Sequence, residues 1–114
     1  MSNEKSINDA VDYLYTHGKK YAESKAHRGY LENYTKTLIA SLAIKFIKDG
    51  VAKSMAQAEA MAYADPSYET HISGLQEAVE IEEKLRWGLT SAQARIEVYR
   101  TQSANERAMD RATI

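Results

Sequence analysis

Apolar residues recur along this chain at the three- and four-residue steps of a helix, and no segment alternates as a strand between turn pairs. Ile7, Val11 and Leu14 mark one face of a first helix, and the face resumes at Leu31, Tyr34, Leu38, Leu42 and Phe46. This helix is expected to start after Ser6, whose spacing to Asp9 is that of a capping box. Gly18 and Gly29 interrupt it, and a break near Gly18 would make Ser6 to His17 a separate short helix. A second helix is predicted from Met55 to Ala64, opened by the Ser54/Gln57 capping box, with a small face of Met55, Ala58, Met61 and Ala62. A third should run from Pro66 to about Asp110, with Leu75, Ala78, Leu85, Leu89, Ala92, Ile96 and Tyr99 at near-heptad spacing and Glu82 breaking the series.

Two pairs punctuate the chain. Gly50, after Asp49, can take the left-handed conformation that closes a helix. At Asp65-Pro66 the aspartate can cap and the proline can sit at the first helical position. The ends, Met1 to Lys5 and Arg111 to Ile114, are expected to fray. The expected architecture is all-α, one domain over residues 1–114: a long antiparallel helical hairpin with a short helix at the turn, dimerising into a helical bundle. Helices one and three would each measure about 60–70 Å at 1.5 Å per residue, a thin object that buries more by self-association. Leu75, Leu85, Trp87, Leu89, Ile96 and Tyr99 are the expected oligomer interface.

Composition narrows the setting. With 114 residues, 44% hydrophobic, 27% charged and a net charge of −1, the chain is neither disordered nor a bulk polycation. It has no cysteine, which excludes disulfides and thiolate metal sites. No apolar stretch resembles a signal peptide or a membrane span, so no membrane partner is expected and the protein should stay where it is made.

Charge is unevenly spread. Glu69, Glu77, Glu80, Glu82 and Glu83 form an acidic segment without a basic residue. A hairpin that sets residue 49 beside residue 67 pairs numbers summing to about 116, so Lys36, Lys45 and Lys48 would face that segment. Lys19, Lys20, Lys25 and Arg28 would then lie level with Arg86, Arg95 and Arg100. Such a basic end suits an anionic partner, with Lys19, Lys20, Lys25, Arg28, Arg95 and Arg100 as the candidate nucleic-acid contacts. The plainer reading is a solvated surface with Glu23 and Glu97 as counter-ions. The same register puts Trp87 near Gly29, buried as a core or interface anchor. Eight tyrosines against one phenylalanine suit half-buried helix faces, or stacking on single-stranded nucleic acid.

Candidate chemistry is sparse. The five glycines are too far apart for a phosphate-cradling loop, and there is no nucleophile elbow and no His-Glu-x-x-His motif. Glu23 and His27 stand one turn apart, but the second Glu-x-x-His pair of a di-iron bundle is missing. Glu80, Glu82 and Glu83 read as solvated carboxylates on a helix face. No catalytic residue, cofactor or metal is expected.

The run from Tyr30 to Arg107 resembles small helical proteins encoded in the early regions of bacteriophages and prophages, among recombination and replication genes. It is carried by Tyr30-Leu31, Tyr34 and Leu38; the alanine-rich Ala58 to Ala64; Asp65-Pro66-Ser67-Tyr68; Leu75, Ala78, Glu82-Glu83-Lys84 and Trp87; and Ala92 to Arg100 leading to Ser103. The resemblance implies a setting in the bacterial host cytoplasm and no mechanism. The expected function is a non-enzymatic accessory protein of phage recombination or replication that binds DNA or a DNA-processing enzyme. The alternatives are a phage-encoded inhibitor of a host defence or nuclease system, and a protein whose only activity is assembly.

Overall fold

The computed structural model describes residues 2–113, with side chains described from Glu4 to Ala112. Three helices follow in order: α1 (Ser2–Lys48), α2 (Met55–Tyr63) and α3 (Pro66–Thr113). No strand occurs among the described residues, and the connectivity is that of a helical hairpin with a short helix at its turn.

The turn is built by local rules. At the end of α1, Gly50 has φ +73°. Its N–H reaches the Ile47 carbonyl at 3.1 Å, and the Val51 N–H reaches Phe46 at 3.0 Å, so two otherwise orphan carbonyls are satisfied. Ser54 caps α2 by accepting from the Gln57 N–H at 3.1 Å, while the Gln57 side chain accepts from the Lys53 N–H at 2.9 Å. The cap forms as the spacing predicts, except that Gln57 reaches one residue further back than in a reciprocal box. Asp65 caps α3 through Oδ1, which accepts from the Ser67 N–H at 2.8 Å, with Pro66 at the first helical position.

α1 is longer than its pattern predicts. It starts at Ser2 and passes Gly18 without a break, so no separate Ser6–His17 helix forms. A Cβ at Gly18 would meet nothing within 4 Å, and one glycine's cost is small against a helix packed on both sides of it. Residues 2–5 and 111–113 are helical, while Met1 and Ile114 lie outside the described residues.

The chain divides into two compact units, Met1–Glu23 with Glu83–Ile114, and Ser24–Glu82. In the Ser24–Glu82 unit, Ala43, Ala52 and Ala58 form a small core against Phe46 and Met61, with Ile39, Ala62 and Ala78 also buried. In the other unit Ala10 and Ala92 are buried, flanked by half-buried Leu14, Leu85, Leu89, Ile96 and Tyr99. The described core is alanine, apart from Ile39 and Glu82, and no large side chain is fully buried.

The register differs from the expected one. Thr35 meets His71 and Arg28 meets Glu82 in one unit, and Tyr13 meets Gly88 in the other, all pairs whose numbers add to less than 116. The cause is the turn layer. α2 packs on the last turns of α1 through Ala43, Phe46, Ala58 and Met61, so α3 first meets α1 further back along it. Glu82 therefore continues the α3 seam instead of breaking it, because Arg28 stands opposite. Among the described residues, no ion pair joins Lys36, Lys45 or Lys48 to the acidic segment.

Candidate functional site

Trp87 is the largest departure from the sequence reading. The hairpin register places it buried beside Gly29, yet it is 75% exposed, and a Cβ at Gly29 would meet nothing within 4 Å. The residue that approaches the α3 backbone is Tyr13, whose hydroxyl occupies the space a Cβ at Gly88 would fill. Trp87 lies two residues after seam position Leu85, about 200° round the helix, and so points outward. The other expected interface residues, Leu75, Leu85, Leu89, Ile96 and Tyr99, share the half-buried stripe of Ala78, Glu82 and Ala92, which is occupied inside the chain by α1.

The candidate cations have unlike surroundings. Lys19, Lys20, Lys25 and Arg95 are exposed. Arg100 is exposed but donates to Glu97 at 3.0 Å. Arg28 is turned inward. Its Nε donates to Glu82 Oε2 at 2.6 Å, Nη2 to Oε1 at 3.0 Å, and Nη1 to Glu32 Oε2 at 3.0 Å. The hydrogen bonds to Glu82 hold its guanidinium further above its ordinary value; partial burial opposes this and Glu32 adds to it. Glu82 has 8% of its side chain exposed, so the pair is a paired, hydrogen-bonded charge in the seam and Arg28 is committed to structure.

An aromatic cluster marks the Ser24–Glu82 unit. Tyr30 and Tyr34 are stacked at 6.1 Å and both exposed, and Tyr34 lies 5.6 Å from the His71 ring. His71 Nε2 is 2.8 Å from Thr35 Oγ1. The histidine is thus held by the seam, and both tyrosines keep exposed surface. The Tyr30/Tyr34 spacing was legible in the sequence as one helical turn; their exposure was not, because nothing in the pattern separates a packed tyrosine from an open one.

The concave features are open. A groove of about 350 Å³ runs along α3 past Ser91, Ala94, Arg95, Val98 and Gln102, with Ser6 and Ile7 of α1 as its far wall. A smaller one of about 210 Å³ lies among Thr35, Lys36, Ile39, Ala40, Glu59 and Tyr63. Such grooves suit a docking side chain better than a reaction that must exclude water. Among the described residues, no group of three or more histidines and carboxylates could hold a metal, and no helix is long and apolar enough to cross a membrane. Every buried side-chain nitrogen or oxygen among them has a partner.

No family model, curated protein or solved structure matches the chain.

Proposed function

We propose that the protein is a non-enzymatic accessory factor of phage DNA recombination or replication, that it works as a homodimer, and that it acts by docking a DNA-processing enzyme. The phage setting rests on the resemblance of Tyr30 to Arg107. The docking mode rests on one observation: the described core fully buries no large side chain, while Tyr15, Tyr30, Tyr63 and Val51 stand more than half exposed. Apolar surface left open in this way is the raw material of an interface.

Direct DNA contact is the second reading. It is favoured by Lys19, Lys20, Lys25 and Arg95, which are exposed and enter no described ion pair. Contact would be to phosphates, since these side chains offer charge without a base-reading motif.

The test is capture from extracts of infected bacteria on the immobilised chain, with and without nuclease. Capture of a recombinase, helicase or nuclease that survives nuclease treatment supports enzyme docking. Loss of the captured protein on nuclease treatment supports the DNA reading. Capture and silencing of a host defence nuclease would replace both with an inhibitor. A chain that captures no DNA-processing protein overturns the proposal.

A further inference from the structure

α3 carries a second heptad-like series besides the seam that packs on α1. Trp87, Ser91, Ala94, Val98, Thr101, Asn105, Ala108 and Ala112 follow one another in alternating steps of four and three. Trp87, Ser91, Ala94, Val98 and Thr101 each lie about 200° round the helix from the seam position two residues before (Leu85, Leu89, Ala92, Ile96 and Tyr99), so the series starts on the opposite face, and Asn105, Ala108 and Ala112 continue its spacing. All eight are exposed, Trp87 at 75% and Val98 at 57%, and none is charged. The charges of this stretch, Arg95, Glu97, Arg100, Glu106, Arg107, Asp110 and Arg111, fall outside the series, and Lys84 ends it on the N-terminal side. An ordinary solvated face does not stay free of charge for about 38 Å of helix.

We propose that this face is the homodimer interface, with the α3 helices of two copies packed antiparallel. The proposal rests on the homodimer reading above and names the surface that serves it. The occupant is a second copy because the face is complementary to itself when reversed. Its bulky end is Trp87 and its small end is Ala108 and Ala112. Reversal about the middle sets Trp87 on the partner's Ala112, Ser91 on its Ala108, Ala94 on its Asn105 and Val98 on its Thr101. Large meets small in the outer layers, whereas a parallel pair would stack Trp87 on Trp87 and leave alanine against alanine at the other end. The same reversal brings Arg95 to the level of the partner's Glu106, once on each side of the two-fold axis. Within one helix these two are three turns apart and have no reason to pair.

The groove along α3 shares Ser91, Ala94 and Val98 with this face and is walled on its other side by Arg95, Tyr99 and Gln102 and by Ser6 and Ile7 of α1, so a partner seated on the face would border the first turns of α1.

The chain has no cysteine, so single cysteines report the pairing directly. Light scattering of the wild type should show a concentration-dependent dimer at roughly tens of micromolar. Thr101→Cys, beside the axis, should oxidise to a covalent homodimer. Ser91→Cys and Ala108→Cys should each fail to link to themselves but link to one another when mixed. Val98→Glu should weaken association by roughly tenfold or more, with helicity of the dilute chain unchanged. Arg95→Glu should weaken it, and adding Glu106→Arg should restore it. A wild type that stays monomeric overturns the homodimer reading, and this proposal with it. A wild-type dimer in which Ser91→Cys links to itself, or in which Val98→Glu changes nothing, overturns the interface alone.

Discussion

Arg28 and Glu82 meet across α1 and α3 through two parallel hydrogen bonds, Nε to Oε2 at 2.6 Å and Nη2 to Oε1 at 3.0 Å. The pair occupies a seam layer that apolar residues fill elsewhere. A buried charge is tolerable there only while its partner is present. Glu82→Ala and Arg28→Ala are each expected to lower the melting temperature. The combined Arg28→Met and Glu82→Leu is expected to recover most of the loss, because it removes both charges and keeps the volume. Thermal melts of the three variants check the order. A double variant no better than either single would show that the layer depends on the ion pair itself.

Gly88 is closed by Tyr13, whereas Gly29 and Gly74 face open space. Replacing glycine by alanine inside a helix gains about 0.5–1 kcal/mol where nothing is displaced. Gly29→Ala and Gly74→Ala should each show that gain in urea melts. Gly88→Ala should not, because the Tyr13 hydroxyl and ring must first move aside. A double-mutant cycle of Gly88→Ala with Tyr13→Ala should give a coupling of about 1 kcal/mol, within the range found for residues in contact. No coupling would place Tyr13 elsewhere in solution.

At the turn, two local devices carry the reversal of the chain. Ser54→Ala removes the acceptor for the Gln57 N–H and should cost about 1 kcal/mol. Gly50→Ala forces a side chain into φ +73° and should cost about 1–2 kcal/mol. Chemical denaturation of both variants checks the figures.

The caps, the three helices and the hairpin order were legible because each depends on residues close in sequence. The α1 seam was only half legible. Tyr21, Ser24, Arg28 and Thr35 fall at its seam spacing but are polar or amphipathic, so a search for apolar periodicity passes over them. Register was not legible either. It depends on how far α2 covers the end of α1, a packing matter between small residues such as Ala43 and Ala58. Of the two readings of Trp87, core or interface anchor, the core one fails for a related reason: its place two residues off the seam turns it away from α1.

Trp87→Ala should therefore leave the stability of the dilute chain within about 0.5 kcal/mol of wild type, as for an ordinary surface change. A buried tryptophan would cost about 3–5 kcal/mol. Denaturant melts followed by circular dichroism at low micromolar concentration separate the two. A large loss there would restore the buried reading of Trp87.

The last expectation concerns DNA. Arg28 is committed to Glu82 and Glu32, and Arg100 donates to Glu97, so Lys19, Lys20, Lys25 and Arg95 are the cations best placed to meet phosphate. If they do, affinity falls steeply with salt and depends weakly on sequence. Anisotropy of a labelled duplex, titrated from low to physiological salt, reads the slope. Lys20→Glu with Lys25→Glu should lower affinity and flatten the slope by about 0.9 for every phosphate that is no longer neutralised, while helicity is kept and the dimer contact proposed for Arg95 is left alone. Arg28→Glu should behave differently, lowering the melting temperature because it sets two carboxylates against each other in the seam. Lys45→Ala with Lys48→Ala is the control, and since neither lysine pairs with the acidic segment it should leave both affinity and fold unchanged. A wild type without DNA affinity at low ionic strength would remove the direct-contact reading. Enzyme docking would then stand on the exposed apolar faces, and Lys20 and Lys25 would be tested next as contacts to an acidic protein surface.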